Sequence, residues 1–245
     1  MQIVFALVAL VAGFVLLVKG ADWFVEGSAG IANKFGIPQI VIGLTIVAMG
    51  TSMPEAAVSI SAALRGSAEI TIGNVVGSNI MNILVILGLT AVVCQIAVQK
   101  TTIHYEMPMV IGVTILLAVM GLQNNIISRA EGVILLACMV VYMLYLLRLA
   151  KRGVVENEEL NAYAKQVSFG RLILLVVVGV AAIIFGSHVA VEAASAIARI
   201  FGISERFIGL TIVAFGTSLP ELVTSVAAAR RGNSDIAVGN IVGSN

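Results

Sequence analysis

The chain has 245 residues, of which 60% are hydrophobic and 11% are Asp, Glu, Lys or Arg. This composition leaves too little polar surface to cover a water-soluble globule, so the sequence indicates an integral membrane protein. The formal net charge is +1, from 14 basic and 13 acidic residues, which gives no electrostatic reason to expect nucleic acid as a partner.

Apolar runs long enough to cross a bilayer as tilted helices recur along the chain. They fall near residues 2–21, 38–64, 70–97, 107–122, 130–148, 171–197, 205–229 and 236 onward. We interpret the first run as a retained span and not a signal peptide, because no basic residue precedes it and a matching run begins near Leu172. Seven spans and the start of an eighth predict an all-α polytopic membrane protein.

One segment of 37 residues occurs twice, at 43–79 and at 209–245, with 23 identical positions and an offset of 166. Five predicted spans separate the starts of the two copies. Because five is odd, the second copy enters the membrane from the opposite side, which predicts an inverted-repeat transporter. If the second half mirrors the first, we expect five plus five transmembrane helices, and this chain ends within helix 8.

The duplication divides the chain into three predicted parts. The first repeat covers 1–148 with its motif at 43–82, a cytoplasmic linker covers 149–170, and the incomplete second repeat covers 171–245 with its motif at 209–245. If the N-terminus lies outside, ten Lys and Arg residues fall on the cytoplasmic side and four on the outer side. This distribution favours an outside N-terminus in a multi-pass protein of the plasma or inner membrane.

Each copy places an acid directly after a proline, in the sequences G-T-S-M-P-E ending at Glu55 and G-T-S-L-P-E ending at Glu221. Proline kinks or opens a helix, which exposes the backbone carbonyls near Thr51 and Thr217. An unpaired carboxylate in the middle of a membrane costs at least about 2.5 kcal/mol. No Lys or Arg lies nearby in sequence, so the simplest explanation is a cation bound between the two halves. Carboxylate, hydroxyl and carbonyl oxygens suit Ca²⁺ and Na⁺, and two carboxylates match a divalent ion in charge.

The second part of each motif reads G-N-x-x-G-S-N and places small and amide residues on the following span. Ser78 and Asn82 are one helical turn apart and can face Glu55 from the same side. Gly73 and Gly77 have the G-x-x-x-G spacing that allows helices to approach closely, so they are interpreted as a packing surface when considered alone.

Several other polar residues lie in or beside the predicted spans. Glu106 precedes Met107 and Pro108, and we interpret it as an acid at a helix start. Glu26 and Glu192 form a matched pair at the 166-residue offset, near helix ends where carboxylates can be solvated, and are not assigned to transport. His188 occupies the position equivalent to Asp22, where a membrane-boundary role is favoured over pH sensing.

These motifs resemble those of the cation/calcium exchanger superfamily, whose signature is a pair of inverted alpha-repeats that carry G-T-S-x-P-E followed by G-N-x-x-G-S-N. The match covers both repeats and is most similar to the prokaryotic sodium/calcium exchangers. The resemblance implies antiport of Na⁺ and Ca²⁺ across the bilayer by alternating access, with both ions bound at the midplane. It implies no cofactor and no obligate protein partner.

The resemblance also implies a set of ion ligands. The calcium site falls on Glu55 and Glu221, with the backbone carbonyls of Thr51 and Thr217. The sodium sites fall on the carbonyls of Ala48 and Ala214, on Thr51 and Thr217, on Ser52 and Ser218, on the hydroxyls of Ser78 and Ser244, and on Asn82 at the middle position. The counterpart of Asn82 in the second copy falls beyond Asn245, so a potassium requirement stays open.

Two other transport functions remain as alternatives. A proton/calcium antiporter is the nearest, because two facing carboxylates can exchange protons as readily as sodium. A cation channel belongs to a different class and would need a continuous pore. An enzyme is not expected, since neither His104 nor His188 lies in a recognisable catalytic pattern and no nucleophile stands beside a base at motif spacing.

Overall fold

A computed structural model describes residues 2–66, 68–124, 126–152 and 167–245, and these residues form helices joined by short loops, without a strand. Most of the predicted linker, 153–166, lies outside the described residues. The helices are α1 Gln2–Phe35, α2 Gln39–Thr51, α3 Met53–Leu64, α4 68–93, α5 102–124, α6 Arg129–Arg152, α7 Phe169–Ile200, α8 205–217, α9 Leu219–Arg230 and α10 Ser234–Gly243.

Within the described residues, five helices are long and apolar enough to cross a membrane, namely α1, α4, α5, α6 and α7. The α2–α3 pair is bent by 50° and the α8–α9 pair by 49°, and each pair forms a further span if it is counted as one. Large apolar side chains such as Phe5 and Leu136 are 78% and 67% exposed, as expected for surfaces that face lipid. The prediction of an all-α polytopic membrane protein is confirmed.

The longest helices, α1 and α7, pack against each other in antiparallel directions. A Cβ atom on Gly20 would lie 2.9 Å from the Gly179 carbonyl oxygen, and one on Gly179 would lie 2.6 Å from the Phe24 nitrogen. Glycines at these positions therefore allow the two backbones to touch, which is how membrane helices gain packing energy without a hydrophobic driving force. At the far end of the pair, Lys34 Nζ donates to the Val167 carbonyl over 2.9 Å.

The helix directions define two faces of the bundle. We call the side where α1 begins the N-terminal face and the side where α1 ends and α7 begins the linker face. Helices α2 and α10 both begin at the linker face and are tightly packed there. A Cβ atom on Gly239 would lie 2.7 Å from the Ile40 carbonyl oxygen, and one on Gly43 would lie 2.8 Å from the Ile236 carbonyl oxygen.

The equivalent pair at the N-terminal face, α4 and α8, is separated by a cavity. Gly73 is the counterpart of Gly239, yet a Cβ atom added to Gly73 or Gly77 would meet nothing within 4 Å. The interpretation of these two glycines as a packing surface is wrong for this conformation. They line a cavity of about 610 Å³ whose other wall includes Thr211 and Ala214 of α8. Both pairs join one helix from each repeat and carry copies of the same motif, but the α2–α10 pair is closed and the α4–α8 pair is open.

Glu106 is not the helix-start acid that its place before Met107 and Pro108 indicated. It ends a π-helical turn, Thr102–Glu106, inside α5, and its side chain is 1% exposed. Its Oε1 accepts a hydrogen bond from the Tyr145 hydroxyl of α6. Packing against α6 therefore buries an acid that the local sequence indicated as a helix-start residue.

We expect Glu106→Gln to keep the thermal stability of the protein, because the amide oxygen still accepts from Tyr145. Glu106→Ala removes the acceptor and leaves a void, with an expected loss of about 1–3 kcal/mol in the free energy of unfolding. Thermal unfolding of both variants in detergent measures this difference. Equal unfolding midpoints for Gln and Ala would show that the contact between α5 and α6 does not depend on Glu106.

Candidate metal-ion site

The two bent spans meet at their breaks and exchange a reciprocal pair of hydrogen bonds. Ser52, at the break between α2 and α3, donates from Oγ to Glu221 Oε1 over 2.8 Å. Ser218, at the break between α8 and α9, donates from Oγ to Glu55 Oε1 over 3.3 Å. Each serine thus holds the carboxylate of the opposite repeat, and both acids are brought to one centre.

The local sequence explains why each span breaks at this point. Pro54 and Pro220 occupy the second residue of α3 and α9, a position where the missing N–H costs no helical hydrogen bond. Each preceding half-helix also contains a π-helical turn, Gly43–Val47 and Gly209–Val213, at the same 166-residue offset. A π turn inserts a residue into the helical register, and such turns occur frequently at functional sites.

Two asparagines that the sequence analysis did not assign hold the acid-bearing helices in place. Asn74 Nδ2 donates to the Glu55 carbonyl over 3.1 Å, and Asn240 Nδ2 donates to the Glu221 carbonyl over 3.3 Å. Each asparagine also donates over 2.9 Å to a serine one turn after the acid on the acid-bearing helix, Asn74 to Ser59 and Asn240 to Ser225. Their identical place in both G-N-x-x-G-S-N copies was the signal that could have identified them.

Four buried side-chain oxygens of the predicted ligands have no hydrogen-bond partner. They are Glu55 Oε2, Glu221 Oε2, Asn82 Oδ1 and Ser244 Oγ. The Glu55 side chain is 9% exposed and Glu221 is 1% exposed, so water at the protein surface does not solvate them. Buried polar atoms are normally paired, and acceptor oxygens from two acids and an amide can be paired by a bound cation.

The remaining predicted ligands fall on two sides of the acids. Thr51 and Ala48 lie on the linker-face side and are each 1% exposed, and Thr51 Oγ1 is 3.0 Å from Asn240 Oδ1. Asn82 Nδ2 donates to the Ser244 carbonyl over 3.2 Å. On the N-terminal side, the following predicted ligands line the open cavity: Ser78, Ala214, Thr217 and Ser218.

Some predicted ligand atoms are engaged within their own helices in this conformation. The Ala48 carbonyl accepts from the Ser52 backbone N–H over 3.0 Å, and the Ala214 carbonyl accepts from Thr217 Oγ1 over 3.1 Å. Ser78 Oγ donates to the Val75 carbonyl over 3.0 Å. A carbonyl has a second lone pair and a donating hydroxyl keeps its lone pairs, so all three oxygens can still face a cation.

The donor set is made of hard oxygen atoms. The described residues contain no group of three or more His, Cys, Asp or Glu that could hold a metal ion. A cation at this centre would therefore be bound by two carboxylates together with amide, hydroxyl and carbonyl oxygens. Such a set suits Ca²⁺ or Na⁺ and provides none of the sulfur or imidazole ligands that softer metals prefer.

Comparison with known proteins places these features in a family. The family described as sodium/calcium exchanger protein matches residues 5–148 and 171–245. The sodium/calcium exchanger MaX1 of Methanosarcina acetivorans is 33% identical over 96% of this chain and 78% of its own length. The inner membrane protein YrbG of Escherichia coli K12 is 37% identical over 96% of this chain and 74% of its own length.

A solved structure shares the fold. The sodium-calcium exchanger NCX_Mj, soaked with 10 mM Na⁺ and zero Ca²⁺, matches with a TM-score of 0.85 and 37% identity, covering 99% of this chain and 78% of that chain. The resemblance inferred from the repeated motifs is therefore confirmed at the level of the family and the fold. The chain belongs to the sodium/calcium exchanger family, within the cation/calcium exchanger superfamily of membrane transporters.

Proposed function

We propose that this protein is a sodium/calcium antiporter that binds both ions between its two inverted repeats. The observation that carries the proposal is the crossed pair of hydrogen bonds from Ser52 to Glu221 and from Ser218 to Glu55. It brings two acids together in the membrane interior while leaving one oxygen of each without a partner. A metal ion supplies the positive charge that makes this arrangement favourable.

The proposed ligand roles are those that the resemblance to the exchanger superfamily implies. Ca²⁺ is bound by Glu55 and Glu221 with the carbonyls of Thr51 and Thr217. Na⁺ ions occupy overlapping positions that also use Ala48, Ala214, Ser52, Ser218, Ser78, Ser244 and Asn82. The two ions compete for the same carboxylates, so binding of one displaces the other.

Antiport follows from the charge of the site. When empty, the two carboxylates carry two negative charges in a region of low dielectric constant, and moving that charge across the membrane is unfavourable. One Ca²⁺ or a set of Na⁺ ions neutralises the acids. The loaded site can then change its accessible face while the empty site cannot, which couples the flux of one ion to the counterflux of the other.

The asymmetry between the repeats supports alternating access. The cavity beside Ser78 and Thr217 connects the site with the N-terminal face, whereas α2 and α10 are in backbone contact on the linker side. With the N-terminus outside, as the distribution of Lys and Arg favours, this conformation is open to the outside of the plasma or inner membrane. The tightly packed pair α1 and α7 slides against the rest of the bundle to open the other face.

The repeat boundaries are part of the same proposal. Repeat 1–148 supplies one bent span and repeat 171–245 supplies the other, and 149–170 joins them on the cytoplasmic side. Exchange of accessibility between the faces then corresponds to exchange of conformations between the two repeats.

The proposal is tested by ion flux in proteoliposomes that contain the purified protein. We expect an outward sodium gradient to drive calcium uptake that saturates with calcium concentration and stops when the gradient is collapsed. Calcium uptake driven by a pH gradient and insensitive to sodium would support the proton/calcium alternative. Unitary currents through a continuous pore would support a channel, and either result would overturn the sodium/calcium assignment.

A further inference from the structure

A cluster of charged residues joins the sliding helix α1 to the end of α9 at the linker face. Arg231, the residue directly after α9, forms ion pairs with Asp22 Oδ1 at 3.1 Å and with Glu26 Oε2 at 3.4 Å. Arg231 Nε also donates a hydrogen bond to Asp22 over 3.2 Å. We call Arg231, Asp22 and Glu26 the linker-face clamp. It lies outside the metal-ion site and connects two elements that must move relative to each other if α1 slides.

The internal repeat gives this clamp a counterpart at the other face. Subtracting the 166-residue offset from Arg231 gives Arg65 after α3, and adding it to Asp22 and Glu26 gives His188 and Glu192 on α7. In this conformation the Arg65 side chain forms no ion pair with another described residue. His188 and Glu192 instead line an open groove between α1 and α7 near the N-terminal face.

A second contact has the same asymmetry. Thr51 and Asn240 are hydrogen-bonded across the repeats on the linker side, at 3.0 Å. Their counterparts, Thr217 and Asn74, both line the open cavity and are not bonded to each other. Each contact thus exists in its linker-side copy and is absent from its N-terminal copy, and both differences match the face that is closed.

We propose that two exchangeable clamps hold the two faces closed in turn. Arg231 with Asp22 and Glu26 closes the linker face, as seen here, and Arg65 with Glu192 closes the N-terminal face in the opposite conformation. This inference rests on the proposed function, because it assigns residues to the alternation of access to the same ion site. The arginines act by positioning the helices and touch no ion.

The two clamps are unequal in charge. The linker-face clamp has two acids for its arginine, whereas the other has one acid, Glu192, and a histidine, His188, at the position equivalent to Asp22. All three linker-face side chains are about one-third exposed, so water and salt weaken their attraction. We therefore expect each clamp to shift the ratio of the two conformations by about two- to five-fold.

Cysteine labelling from the N-terminal face measures this ratio. A cysteine in place of Ile212, which lines the cavity and is not a proposed ligand, is introduced after replacing the two free cysteines Cys94 and Cys138 with serine. The labelling rate with a membrane-impermeant maleimide reports how often the N-terminal face is open. We expect Arg231→Gln to slow labelling by at most about fivefold, because it releases the linker face and lowers the fraction of molecules whose N-terminal face is open.

Two further variants distinguish an effect of the clamp on the labelling rate from an effect of general loss of structure. His188→Asp gives the N-terminal clamp its second acid and is expected to slow labelling, although it removes no hydrogen bond or ion pair seen in this conformation. Arg65→Gln removes a charge of the same kind as Arg231→Gln and is not expected to slow labelling. Unchanged labelling in both Arg231→Gln and His188→Asp, or equal slowing by Arg65→Gln and Arg231→Gln, would overturn the inference.

The labelling result and the flux result fail independently. If the labelling rates shift as expected but the protein shows no sodium-driven calcium uptake, the clamps are supported and the assignment of sodium and calcium as the exchanged ions is overturned. If sodium drives calcium uptake but the clamp variants leave the labelling rate unchanged, the antiporter assignment is supported and the clamps are overturned.

Discussion

Glu55→Gln and Glu221→Gln are each expected to reduce sodium-driven calcium uptake severely. In both acids, Oε1 accepts a hydrogen bond from the serine of the opposite repeat and Oε2 is the oxygen without a partner. If the amide oxygen keeps the bond to serine, the amide NH₂ group takes the place of Oε2 and presents hydrogens to the cation. The variant loses one negative charge and converts a ligand into a donor.

The size of the effect follows from the interactions that are lost. A contact with a charged group contributes about 1.5–3 kcal/mol, which corresponds to about 10- to 150-fold in affinity. We expect calcium binding to weaken by at least about tenfold in each variant, and uptake at the calcium concentration that half-saturates the unmodified protein to fall at least about fivefold. Initial rates of calcium uptake over a range of calcium concentrations give the measurement.

Glu106→Gln is a matched control for these variants. Glu106 and Glu221 are each 1% exposed, but Glu106 accepts its hydrogen bond within its own repeat, from Tyr145, and not from a predicted ligand. The control replaces a buried carboxyl group with an amide without changing a residue of the proposed site, so uptake is expected to continue. Full uptake by either Glu55→Gln or Glu221→Gln would contradict the shared site, as would equal losses in all three variants.

The sequence predicted the centre of this molecule well because the duplication is nearly exact where the acids lie. Two copies of G-T-S-x-P-E in opposite orientation predicted two broken spans, and the structure has bends of 50° and 49° directly before the prolines. Inverted copies bring equivalent residues together near their axis. The crossed contacts of Ser52 and Ser218 with the two acids are the structural result of that symmetry.

Other features could not be read from the local sequence. Glu106 stands where acids often begin helices, and only the approach of α6 shows that it is buried. Two copies of one motif also cannot indicate which face is open, because the same residues are present at both. The difference between Gly73 and Gly239 comes from the relative positions of whole helices, which tertiary packing decides.

Alanine substitutions at Gly239 and Gly73 are expected to differ in their effect on the stability of the protein. At Gly239 a Cβ atom would lie 2.7 Å from the Ile40 carbonyl oxygen and 2.8 Å from the Gly43 Cα, and backbone atoms cannot move aside cheaply. Gly239→Ala should therefore separate α10 from α2 and cost about 1–3 kcal/mol in the free energy of unfolding. Gly73→Ala meets nothing within 4 Å and places a better helix former in α4, so stability should be retained.

Exchange by Gly73→Ala should nevertheless be slowed, because closing the N-terminal face requires Gly73 to approach α8 as closely as Gly239 approaches α2. The variant should bind calcium with unchanged affinity and keep its unfolding temperature, yet transport calcium at least about tenfold more slowly, since even a 1.4 kcal/mol rise in the barrier has that effect. Equilibrium calcium binding, thermal unfolding and initial uptake rates on the same preparation separate these properties. Exchange at the unmodified rate would contradict this prediction and would mean that the N-terminal face closes by a packing different from that between α2 and α10.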